Sequence, residues 1–228
     1  VVVNILACRK GGLDVLKNLF PKALIVPYAT PGAELAKTYF REYRKYGREP
    51  SVVFLQNHGL LVSAETADDV IAVTEQVVGQ IERYLGLDLS GYHAVTELSA
   101  MFKEKIIWRV TDQNVLRASR SLGRIWEYTF CPDCVVFLGK AMYDAGTALE
   151  KEKLEKFRAQ YGEPVVIAYK DDLYIHADSV KKAWEIQSVL SFAAQVMAEN
   201  HGHRCSLLTK EEQDFVLGWD AEKYRKKI

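Results

Sequence analysis

The sequence predicts an α/β protein, a mixed β-sheet covered by helices, with a second, related strand–turn–strand–helix repeat in its C-terminal half. Three observations carry that expectation. Short apolar runs bounded by Gly, Pro or Asn alternate with longer segments of helical period. One of those segments, residues 66–85, keeps apolar residues at 70, 73, 77, 81 and 85, a single helical face. Finally, residues 51–84 align without a gap on residues 164–197 at a constant shift of 113.

Taken in order, residues 1–7 and 23–26 read as buried strands, separated by the Gly11-Gly12 break and a short helix over 13–20. Pro31-Gly32 opens a helix running to about residue 46, with Pro in the first turn, where its missing N–H costs nothing, and Gly47 ends it. A strand pair then surrounds Asn57-His58-Gly59. Thr66 is placed to cap the helix over 66–85, and residues 86–91 form a loop. Residues 96–109 and 112–128 read as helices with aromatic-rich apolar faces, and strand returns at 135–138. Two domains follow: a core over 1–86, and a helical connector with the related repeat over 87–228.

The self-alignment sets Val52-Val53 on Val165-Val166, Leu60 on Leu173, Val62 on Ile175 and Glu65-Thr66 on Asp178-Ser179. Upstream, Tyr46-Gly47 parallels Tyr161-Gly162, and residues 24–27 parallel 136–139. The copies differ where chemistry would reside. Asn57-His58-Gly59 becomes Lys170-Asp171-Asp172. Reversing the chain needs neither composition in particular, so the copy with His is the better candidate for chemistry. A histidine at the apex of a tight turn has a fixed backbone and an outward aim, which suits a metal ligand or proton carrier.

Val26-Pro27-Tyr28-Ala29-Thr30-Pro31-Gly32-Ala33-Glu34-Leu35-Ala36 resembles the strand-to-helix segment of the class II aldolase/adducin head family. Leu55-Gln56-Asn57-His58-Gly59-Leu60-Leu61-Val62, followed by Glu65-Thr66-Ala67-Asp68-Asp69, resembles that family's histidine turn and the helix after it. The resemblance covers about residues 1–86. In members such as fuculose-phosphate aldolase this His is one of three imidazoles holding a catalytic divalent metal, usually zinc, so the resemblance implies that His58 is a metal ligand. The other two form a His-x-His on a strand leading into a segment similar to Val3-Asn4-Ile5-Leu6-Ala7, and the phosphate-binding loops and acid/base Glu lie further upstream still. The resemblance therefore makes the chain N-terminally incomplete, an expectation its opening Val-Val-Val also fits, and names no catalytic or substrate-binding residue within it. Trp219-Asp220-Ala221-Glu222-Lys223-Tyr224-Arg225 is similar to the tail of rhamnulose-phosphate-aldolase-like members, found in rhamnose utilisation.

The implied function of the intact protein is reversible retro-aldol cleavage of a phosphorylated ketose. There the metal polarises the substrate oxygens and stabilises the enediolate left by C–C cleavage. The alternative is a non-catalytic module like the adducin head, serving interaction and oligomerisation. Class II aldolases place their sites between subunits of a ring, and 12 Tyr, 9 Phe and 4 Trp supply ample aromatic surface for an interface, so a homo-oligomer with fourfold symmetry is expected.

Charge is balanced, 30 basic against 30 acidic residues, which steers the chain toward neither nucleic acid nor an anionic membrane. No apolar run approaches a membrane span, and four irregularly spaced cysteines make no disulfide framework, which points to a reducing cytoplasm.

Other clusters read as structural. Cys131-Pro132-Asp133-Cys134 has the spacing of a redox pair or zinc knuckle, but a redox motif should open a helix and residues 135–138 read as strand. His201-Gly202-His203 with Cys205 follows a long helix as a stop signal. His176 takes the place of Ser63 in the repeat. His93 follows a Gly-Tyr loop. Arg117, Arg120 and Arg124 fall on one helical face, solvated and paired with Glu.

Overall fold

The computed structural model describes residues 2–219 and divides into two compact units, Val1–Leu89 and Ser90–Ile228. The first contains α1 (Val2–Ala7), α2 (Gly12–Leu19), β1 (Leu24–Val26), α3 (Ala33–Tyr46), β2 (Val52–Leu55), β3 (Gly59–Val62) and α4 (Ala67–Leu85). Strands β1 and β2 run parallel, with α3 as the crossover, and β3 returns antiparallel to β2. β2 is the central strand of the three. Its residues alternate faces: Val53 joins Leu24 and Val26 against the tyrosine-rich side of α3, and Phe54 joins Leu6, Leu16, Val77 and Ile81 beneath α1, α2 and α4.

Local chemistry explains the boundaries. The Thr66 hydroxyl accepts the Asp69 N–H to start α4, with Asp68 and Asp69 in its first turn, and Gly86 ends it in the left-handed conformation. Gly47 closes α3 in the same way. Residues 2–7 are helical, which corrects the strand expected over 1–7. Val2, Val3, Leu6 and Ala7 are the buried ones, a spacing that only a helix brings to one side, so packing overrode the β-branched composition.

The second unit contains α5 (Ser90–Met101), β4 (Ile106–Arg109), α6 (Gln113–Leu122), α7 (Pro132–Leu138), β5 (Tyr143–Gly146), α8 (Lys151–Tyr161), β6 (Val166–Tyr169), β7 (Asp172–Ala177), α9 (Val180–Glu199) and α10 (Lys210–Gly218). Its sheet has the order β4-β7-β6-β5, with β5 parallel to β6 and the other pairs antiparallel. Three expectations change here. The helix expected over 96–109 ends at Met101, and Ile106–Arg109 is an edge strand on β7. The helix expected over 112–128 is capped by the Asp112 carboxylate and stops at Gly123. Residues 135–138 belong to a helix rather than a strand, because Pro132 at its first turn and Asp133 beside it favour helix initiation.

The fold carries the repeat. The order α2–β1–α3–β2–β3–α4 recurs as α7–β5–α8–β6–β7–α9. Among the described residues, Asn57 and Lys170, equivalent at the shift of 113, are the two non-glycine residues with positive φ, at 61° and 52°. Thr66 and Ser179, equally equivalent, cap the following helices by the same bond to the N–H three residues on. Ser63 Oγ donates to the Pro50 carbonyl at 2.9 Å, and His176 Nδ1 lies 3.1 Å from the Pro164 carbonyl. The upstream pairing needs revision. Residues 136–139 close α7, and the counterpart of β1 is β5. The hairpins also differ: Leu55 pairs with Gly59 across three loop residues, and Tyr169 with Asp172 across two. Asp171 thus stands at the sequence position of His58 in a turn one residue shorter.

His176 supports a pH prediction. It is buried against the Phe102 ring, with Glu163 3.8 Å from Nδ1 and Lys105 and Arg158 nearby. Burial is the largest influence and lowers its pKa below the ordinary 6.5, so folding favours the neutral ring. A group with a depressed folded pKa contributes stability above its unfolded value and loses it as pH falls. Thermal melts should therefore show stability falling between about pH 7 and pH 5, above the range where the lowered carboxyls of Glu97 and Asp178 protonate. His176→Asn, which retains a donor for the Pro164 carbonyl, should flatten that fall; an unchanged slope would refute the assignment.

Among the described residues, no helix is long and apolar enough to cross a membrane.

Candidate functional site

The β2–β3 turn is built from backbone constraints upward. Asn57 adopts a left-handed conformation that Asn tolerates, and Gly59, at φ 140°, takes one that a side chain would resist. The His58 N–H closes the turn on the Leu55 carbonyl at 3.0 Å. His58 is half-buried beside the exposed tip residue Asn57.

A second segment meets it. The residues between β1 and α3 are clasped to the turn by Gln56, whose N–H donates to the Val26 carbonyl while its Oε1 accepts the Tyr28 N–H, both at 3.0 Å. That clasp brings the Ala29 carbonyl to 2.9 Å from His58 Nε2 and lays the Tyr28 ring on the imidazole, with centroids 5.5 Å apart and planes inclined by 8°. A carbonyl only accepts, so Nε2 carries the proton and Nδ1 of a neutral ring keeps its lone pair. This is the arrangement by which a ligating histidine has its orientation and tautomer set through its other nitrogen.

The residues present do not complete a metal site. Among the described residues, no group of three or more His, Cys, Asp or Glu could hold a metal ion. His58 amounts to one donor where a zinc site takes at least three from protein. The second hairpin is occupied differently. Lys170 Nζ pairs with Glu97 at 2.7 Å, and the Tyr169 hydroxyl donates to the same carboxylate.

The remaining sequence candidates are dispersed. His176 is structural, as described above. His93 lies in α5, exposed. His201, His203 and Cys205 follow the Asn200 cap of α9 and, among the described residues, join no cluster able to hold a metal. The arginine stripe divides: Arg117 reaches Gln113 and Asn114 within α6, but Arg124 lies beyond Gly123 and bonds Asp144 and the Lys170 carbonyl, so its partner is not Glu. Cys131 and Cys134 do open a helix, which removes the objection that their segment is a strand. Of the tail resembling the rhamnulose-phosphate type, residues 220–225 lie outside the described residues.

Sequence reasoning gave no role to Tyr28, Ala29 or Gln56, although all three fall in the segments that carried the resemblance. Residues 5–85 match the Class II Aldolase and Adducin N-terminal domain. No curated protein and no solved structure matches the chain. The matched stretch runs from α1 to the close of α4 and includes the whole His58 turn with the segment clasped to it.

Proposed function

We propose that the intact protein is a metal-dependent class II aldolase-type lyase that cleaves a C–C bond of a phosphorylated ketose, with His58 as one ligand of a divalent metal, zinc in the first instance. The observation that carries this reading is the pre-set imidazole. Its Nε2 is fixed by the Ala29 carbonyl and its Nδ1 keeps a lone pair for a metal, inside the stretch that matches the aldolase/adducin domain. The other ligands, the acid/base group and the phosphate-binding residues would come from outside the described residues. We assign the intact protein to the cytoplasm and to a homo-oligomer. Residues 87–228 would serve packing and assembly, which the half-exposed Trp184 and Phe192 on α9 support.

A second reading rests on the same contact. An imidazole already bonded to a backbone carbonyl and stacked on Tyr28 is satisfied without any metal, as an adducin-like interaction module would require.

Purified natural protein assayed against a panel of phosphorylated ketoses separates the two. Release of a three-carbon keto-phosphate, abolished by a chelator and restored by zinc, is expected for the lyase. A metal-free protein without cleavage, which light scattering nevertheless shows to be oligomeric, would overturn it and leave the interaction module.

A further inference from the structure

The Cys131-Pro132-Asp133-Cys134 segment is left unused by the function proposed above. Cys131 is the N-cap residue of α7, Pro132 occupies its first turn, and Cys134 is the third helical residue. N-cap and third-residue side chains converge on the same side of a helix start, the geometry that lets a capping box close. Here it brings two sulfurs together: Cys131 Sγ donates to Cys134 Sγ at 3.3 Å. Forming a disulfide of about 2.05 Å requires only a little over about 1 Å of sulfur movement. The other two thiols are placed differently, Cys8 and Cys205 each lying against a backbone carbonyl of its own turn.

The two thiols of the pair are unequal. Cys131 is partly exposed, whereas Cys134 is fully buried in the core cluster with Tyr128, Leu138 and the apolar face of α9. An attacking reagent can reach one sulfur and not the other. We propose that Cys131 and Cys134 form a reversible dithiol–disulfide pair that exchanges electrons with small-molecule disulfides, Cys131 being the entry thiol and Cys134 the resolving thiol. The thiolate of Cys131 attacks one sulfur of the small disulfide, breaking its S–S bond and releasing one half as a thiol. The sulfur of Cys134 then attacks Cys131 in the mixed disulfide and expels the second half. The protein loses two thiols and gains one S–S bond, the small disulfide is reduced to two thiols, and the protons from the cysteines end on those leaving thiols. Burial, the largest influence on Cys134, raises its pKa well above the ordinary thiol range, which leaves Cys131 as the sulfur that attacks first.

Oxidised glutathione tests this on the 228-residue chain. Peptide mapping under non-reducing conditions should find the Cys131–Cys134 bridge, with no glutathione retained at either residue, and dithiothreitol should restore both thiols. In a Cys8→Ser, Cys205→Ser background, both remaining thiols should disappear without added glutathione mass. Adding Cys134→Ser should instead trap a lasting glutathione adduct on Cys131. A stable adduct on Cys131 with Cys134 intact, two thiols that stay free, or no adduct in the Cys134→Ser chain would each overturn the proposal. The mapping of the unsubstituted chain decides the bridge itself, independently of how the variants fold.

Discussion

Phe54→Ala should destabilise the N-terminal unit by about 3–5 kcal/mol, the usual cost of emptying a buried aromatic position. Phe54 is fully buried on the central strand, with its ring 5.1 Å from that of Phe20 and its face covered by α1, α2 and α4. That loss is comparable to the whole stability of many domains, so the variant should sit near its unfolding midpoint in mild urea. Amide exchange at β1, β2 and β3 is the direct measurement. Protection there should fall by orders of magnitude, and retained protection would mean that Phe54 is not the centre of this core. The His58 turn should loosen with it, since Leu55, whose carbonyl accepts the His58 N–H, belongs to the same strand.

Long elements with caps were legible in the sequence. The run over 66–85 carries its period, its Thr cap and its closing Gly in the letters, and the structure places α4 at Ala67–Leu85. The hairpin around His58 was legible for a similar reason, since two apolar runs flank an Asn-His-Gly turn that few other conformations satisfy. Short apolar runs were not. Residues 2–7, 106–109 and 135–138 are each too brief for a period of 2 to be told from one of 3.6. Two of the three proved helical and one a strand, each decided by the surface it packs on or by a neighbouring Pro. The misreading of 135–138 had a consequence, because it dismissed Cys131 and Cys134 on a false local structure. At the site, the identity of His58 could be read and its setting could not. The Ala29 carbonyl meets Nε2 across 29 positions of sequence, and a backbone oxygen has no signature in the amino-acid letters. Gln56 alone carried a signal in the letters, as the polar residue ending an apolar strand.

His58→Ala in the intact protein is expected to lower kcat/KM for retro-aldol cleavage by more than about 100-fold, or about 2.7 kcal/mol of transition-state stabilisation. Even partners that merely orient a ligating histidine cost 10–100-fold when removed, and a ligand should cost more. Gln56→Ala provides the graded comparison. Gln56 is a positioning residue: its side chain holds Tyr28, and through it the segment bearing the Ala29 carbonyl, against the turn. Its loss should weaken metal retention and activity within that 10–100-fold range, with excess zinc recovering part of the activity, whereas His58→Ala should not recover. Metal content measured on the purified variants gives a readout separate from turnover. If His58→Ala keeps both its metal and its kcat/KM, the imidazole only secures the turn to Ala29 and Tyr28, and the interaction-module reading becomes the better account of why this domain holds a histidine there.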